Sequence, residues 1–258
     1  MAKRDIPEIN AGSMADIAFL LLLFFLVTTT MDKDMAYIRK IPQKLDVPPP
    51  DNIEIMERNI LKIEANSQNK IKVREQYPDP SDISKEVIKF YTTNENNRDE
   101  NGVLNNFPQN TYANKNLCNR EKSLLWEQVD AYEAAGDDDM VKYLKSAISQ
   151  WDEKLKALDL LERVTGKTEL IEIDKEAHIK IVVQKATTYA IYTQIHNEIE
   201  EALNELRNKK CEELFGEKYT IMKFRYNQTP EDNKEDKEKL DLIRILYPGK
   251  IIEVQPKN

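Results

Sequence analysis

Asp16 is the residue whose type and setting point most directly to chemistry. It heads an unbroken apolar run, Ile17 to Val27, that contains Leu20, Leu21, Leu22, Leu23, Phe24, Phe25 and Leu26. An aspartate at bilayer depth costs roughly 2.5–3.5 kcal/mol on insertion scales, so it must be protonated, partnered or turned toward a watery cavity. One acid on an otherwise apolar face fits a proton carrier better than a salt-bridge seam. Leu20, Leu23, Val27 and Thr30 follow it at helical spacing, and with Asn10 they are the candidate lining of that face. The alternative is that Asp16 caps a shorter helix at the membrane interface.

The other chemistry-bearing residues are sparse. Cys118 and Cys211 fit either one disulfide or two buried thiols, and both readings stay open. His178 and His196 stand at no zinc-ligand spacing from them, so no metal and no cofactor is expected. No Ser/His/Asp or Cys/His pairing stands at motif spacing, and six glycines form no phosphate loop, so the chain is not read as an enzyme. A net charge of −8 and a pI near 5.1 exclude the basic stripe that nucleic-acid binding needs.

The element that must hold Asp16 is a helix over 10–31, since about 20 residues at about 1.5 Å each cross a hydrocarbon core of about 30 Å. A cleaved signal peptide fits less well: Lys3 and Arg4 are offset by Asp5 and Glu8, and Thr28-Thr29-Thr30-Met31 offers no A-x-A pattern. Basic residues flank the run on both sides, Lys3 and Arg4 before it, Lys33, Arg39, Lys40 and Lys44 after it, so charge leaves the orientation undecided.

Ile9-Asn10-Ala11-Gly12-Ser13-Met14-Ala15-Asp16 and the apolar run resemble the ExbD/TolR family of biopolymer transport proteins. There an Ile-Asn pair precedes the membrane aspartate by the same interval; Ser13 stands where proline is common. Tyr37-Ile38-Arg39-Lys40-Ile41-Pro42 is similar to the family's short extended segment, with Ile41 in place of leucine, and Tyr37, Arg39, Ile41 and Pro42 are its candidate partner contacts. Pro48-Pro49-Pro50 then predicts a stiff spacer.

Beyond the spacer, Asn59–Ala65 and Lys70–Glu75 read as strands around an Asn-Ser-Gln-Asn turn, and Pro80–Tyr91 as a helix capped by Ser81 or Asp82. His178–Gln184 reads as a strand. Tyr189–Leu206 reads as a helix with Tyr192, Ile195, Ile199, Ala202 and Leu206 on one face. This order is similar to that of the family's small soluble domain, although Gln184 replaces a usual aspartate. Asn94–Asn119 reads as a long loop. A helix from Arg120 (Leu124, Leu125, Val129, Tyr132) and a second one (Val141, Leu144, Ile148, Trp151, Leu155, Leu158), separated at Gly136-Asp137, predict an antiparallel hairpin. Its stripes are expected to bury each other, a docking arm being the other reading. Tyr219–Tyr226 reads as an extra strand, Glu231–Lys239 as a solvated loop or helix face, and Ile251–Val254 as a closing strand.

The expected fold is therefore α+β. One N-terminal transmembrane helix precedes a two-layer α/β domain with a helical-hairpin insertion, divided as 1–9, 10–31, 32–52 and 53–258, with 95–168 inserted. The resemblance implies a single-pass protein of the bacterial inner membrane, its N-terminus cytoplasmic and its domain periplasmic. It further implies proton-driven energy transduction with an ExbB/TolQ-like ring protein, a second copy of the chain and a TonB-like protein. The alternatives are a TolR-like envelope-maintenance subunit and a membrane-anchored periplasmic binding module without motor activity.

Overall fold

The computed structural model describes residues 17–24, 55–95 and 105–254. The chain divides into two compact units, Met1–Asp46 and Val47–Asn258. In the first, residues 17–24 form helix α1 with every residue exposed. Among the described residues no helix is long and apolar enough to cross a membrane; the expected helix over 10–31 extends beyond them at both ends.

The second unit mixes helices and strands, as an α+β chain should. Its main sheet runs β2-β1-β5-β6. β1 (Ile60–Ala65) pairs antiparallel with β2 (Ile71–Val73) and parallel with β5 (His178–Val183), which in turn pairs parallel with β6 (Ile251–Val254). Alternation sends Leu61, Ile63, Ile179 and Ile181 to one face, each at most 1 % exposed. There α2 (Ile83–Thr92) and α5 (Tyr189–Phe215) cover them with Ile83, Val87, Phe90, Ile195 and Ile199. The β1–β2 turn closes on Asn66, whose Oδ1 accepts from the backbone N–H of Gln68 and Lys70, while Asn69 takes a left-handed φ of 62° that Asn tolerates. Asp82 is the N-cap residue of α2, without a side-chain capping bond, and Asp79 caps the 3-10 turn Pro80–Asp82 ahead of it, its carboxylate accepting from the Ser81 N–H.

Between α2 and β5 stand β3 (Asn110–Asn114), α3 (Lys115–Ala135), α4 (Asp138–Thr165) and β4 (Glu169–Ile173). α3 and α4 lie antiparallel, since Lys145 meets Glu133 near the turn while Lys115 meets Glu162 at the far end. Gly136, at φ 74°, makes the left-handed stop that ends α3. The long loop expected over 94–119 is corrected in its second half: β3 pairs antiparallel with β4, and α3 begins at Lys115 behind an Asn114 cap. Ala113 is the one buried side chain of β3, so this strand carries no apolar alternation to read.

Two further corrections and one agreement, the charged stretch as a solvated helix face, concern the C-terminal third. α5 continues past Leu206 to Phe215, because Cys211, Leu214 and Phe215 add a second packing surface. The strand expected at Tyr219–Tyr226 is instead helix α6 (Tyr219–Gln228), with Tyr219 and Met222 buried three residues apart. Much of the charged stretch belongs to α7 (Lys234–Leu246), whose Leu240, Leu242 and Ile243 are buried. Cys118 and Cys211 are free, buried thiols in separate core clusters, which settles that alternative against a disulfide.

Candidate functional site

On α1, Ile17, Phe19, Leu20, Leu21, Leu22, Leu23 and Phe24 are between 41 and 65 % exposed. A helix apolar all round belongs in a lipid or protein interior. Burying one Leu or Phe side chain contributes about 1.5–3 kcal/mol, so leaving seven in water is untenable for a stable state. Leu20 and Leu23, three residues apart, share one side of this helix. Asp16 directly precedes α1 in sequence; it lies outside the described residues, as do Asn10, Val27, Thr30, Tyr37, Arg39, Ile41 and Pro42.

In the second unit the strand-end region around Gln184 is held by local hydrogen bonds. Gln184 Oε1 accepts from Ser67 N–H at 2.9 Å, and Asn69 Oδ1 accepts from Thr188 N–H at 2.9 Å. The Thr187 hydroxyl donates to the Ala65 and Asn66 carbonyls. These bonds fix the start of α5. Gln184 thus serves the β1–β2 turn, a structural task that a neutral amide performs without charge.

From that start an aromatic row climbs α5. Tyr189 is 79 % exposed and stacks on Tyr192 at 6.0 Å between ring centroids, and Tyr192 meets His196 edge-on at 4.5 Å. Both reach the edge strand: Tyr192 Oη donates to Glu253 at 3.2 Å, and His196 Nε2 lies 3.4 Å from the same carboxylate. The sequence reading placed Tyr192 on the packed face and gave His196 no role. The spacing of 189, 192 and 196, at three and four residues, was the available signal.

Among the described residues of this unit, the histidines and cysteines stand apart from one another. His178 is 5 % exposed with Nδ1 2.7 Å from the Glu176 carbonyl, a turn contact. Burial pushes the Cys118 thiol up and the Cys211 thiol up to about 11, so neither is a nucleophilic thiolate at neutral pH. Among the described residues no group of three or more His, Cys, Asp or Glu could hold a metal ion.

Residues 2–114 match the family model for biopolymer transport protein ExbD/TolR. That span holds the whole apolar segment, β1, β2, α2 and β3, while α3 and everything after it lie outside the match. No curated protein and no solved structure matches the chain.

Proposed function

We propose, from the match of residues 2–114 to the ExbD/TolR biopolymer transport model, that this chain is the ExbD-like subunit of a proton-motive-force-driven motor powering TonB-dependent transport. The observation that carries the proposal is that one family match spans both the apolar segment with Asp16 and the start of the soluble domain. In this reading 10–31 crosses the bacterial inner membrane, the N-terminus is cytoplasmic and the second unit is periplasmic. The chain then performs no bond-making chemistry.

The mechanism follows from the cost of a charge in lipid. Protonated Asp16 tolerates an apolar wall; ionised Asp16 requires water or a polar partner. A charge crossing the membrane potential gains about 2.3 kcal/mol per 100 mV, enough to bias an alternation between two helix positions. Asn10, Leu20, Leu23, Val27 and Thr30 line the moving face. The polar counterpart comes from an ExbB/TolQ-like ring protein enclosing this helix and that of a second copy. Tyr37, Arg39, Ile41 and Pro42 hand the motion to a TonB-like protein.

Asp16→Asn, nearly isosteric and unable to ionise, tests this. Proton-dependent outer-membrane uptake should fall to background at normal protein levels; uptake that persists removes the motor reading. A second reading, a membrane-anchored binding module, is favoured by the large share of the chain beyond residue 114. It predicts that Asp16→Asn is silent while changes in the second unit abolish function.

A further inference from the structure

The distal half of the α3–α4 hairpin touches little but itself. From Leu124 to Ile148 its buried side chains are Val129, Val141, Leu144 and Ile148, with Leu125 and Met140 packed against them, and that small core contains hairpin residues alone. Its ion pairs also stay inside, Lys145 with Glu133 at 2.8 Å and Lys142 with Asp139 at 3.5 Å. The base differs, because Cys118, Leu158 and Leu161 share a core with Ala113, Leu170 and Leu242 from neighbouring elements. Two helices joined along one narrow seam are marginal by themselves. This arm nevertheless leaves Leu124 47 % and Trp126 45 % exposed. It also carries Glu127, Asp130, Glu133, Asp137, Asp138 and Asp139 against only Lys142 and Lys145.

A surface of complementary chemistry lies on the same unit. The sheet face turned away from α2 and α5 carries Lys62, Lys180 and Ile252 in one row, with Glu64, Val182 and Val254 in the next. Ile252 is 46 % and Val254 39 % exposed. Glu64 reaches Lys62 at 2.9 Å, which leaves Lys180 without an ion pair among the described residues. With one carboxylate, Glu64, beside the facing pair Lys62 and Lys180, a further anion set beside Lys180 balances the second lysine.

We infer that the acidic arm of one copy seats on the lysine-bearing open sheet face of a second copy. The arm's carboxylates meet Lys62 and Lys180, and Trp126, on the same flank of α3 as Asp130 and Glu133, covers Ile252 and Val254. Reciprocal exchange closes the pair on a two-fold axis. The contact does not depend on proton coupling, so Asp16→Asn leaves it intact.

Full-length protein in detergent tests this by disulfide capture between two marked copies, Glu133→Cys in one and Ile252→Cys in the other. The mixed disulfide should form about tenfold faster than with a control cysteine at the exposed Glu231. Asp138→Lys with Asp139→Lys on the arm should slow capture about tenfold, and Lys62→Glu with Lys180→Glu on the sheet should restore it. Restoration excludes misfolding as the cause. Equal rates for the Glu133 and Glu231 cysteines overturn the inference, as does a rate indifferent to both charge reversals.

Discussion

Arg225 grips Asp236 with two hydrogen bonds, Nε to Oδ2 at 2.6 Å and Nη2 to Oδ1 at 3.0 Å, while the same guanidinium reaches both carboxylate oxygens of Glu217 at 2.9 Å. One planar fork on α6 thereby ties the α5–α6 turn to α7. The bonds from Arg225 hold the Asp236 carboxyl below the usual carboxylate range. Its folded pKa is below its unfolded value, so its contribution is complete above about pH 3.9 and is lost as pH falls through the lower folded value. Asp236→Asn should lower the thermal midpoint by about 3 °C at pH 7, with Arg225 half in solvent and the pair screened accordingly. Thermal scans at pH 7 and pH 3 should show the gap between variant and parent closing in acid.

Leu144 belongs to a core that contains hairpin residues alone. Leu144→Ala should therefore cost about 2–5 kcal/mol locally, enough to open the distal arm without unfolding the sheet. Hydrogen exchange should accelerate across 138–148 and stay slow in β1 and β5. Ile199→Ala, in the core beneath the sheet, should instead accelerate exchange throughout β1, β5 and α5.

The two thiols are predicted to be inert while the chain is folded. Cys118 and Cys211 are both fully buried, and burial raises their pKa. Titration with a thiol reagent should find neither reactive in the native protein at pH 7.5 and both reactive after denaturation. Non-reducing mass analysis should show no intramolecular disulfide.

Glu253 joins the edge strand to α5 through Tyr192 and His196. Tyr192→Phe removes one of these contacts, a loss of about 0.5–1.5 kcal/mol, and should raise amide exchange at Ile251–Val254 by up to about tenfold. The remaining strands should not change.

What the sequence disclosed follows from how each element is packed. β1 and β5 carry apolar residues at alternate positions over a single helical layer, and α4 repeats Val141, Leu144 and Ile148 at three and four residue steps; both patterns were readable. β3 was not, because only Ala113 of its side chains is buried and its stability comes from backbone pairing with β4. α6 looked like a strand because Tyr219, Ile221, Phe224 and Tyr226 suggest aromatic-rich β structure. Its helix is set by Tyr219 and Met222 packing on Cys211 and Leu240, contacts separated widely in sequence. Of the candidate site, Leu20 and Leu23 lie on α1, where both are exposed, while Asp16 and the remaining candidates fall outside the described residues. The group of Tyr189, Tyr192, His196 and Glu253 needed the sheet order, since β6 comes beside α5 only in three dimensions.

The most direct test of the central claim is proton flux. Liposomes holding the full-length chain with its ring partner, under an imposed membrane potential, should acidify or alkalinise the lumen at a rate that Asp16→Asn reduces to that of liposomes with the ring partner alone. Flux unchanged by Asp16→Asn, with both proteins assembled in equal amounts, would contradict the assignment of Asp16 as the proton carrier.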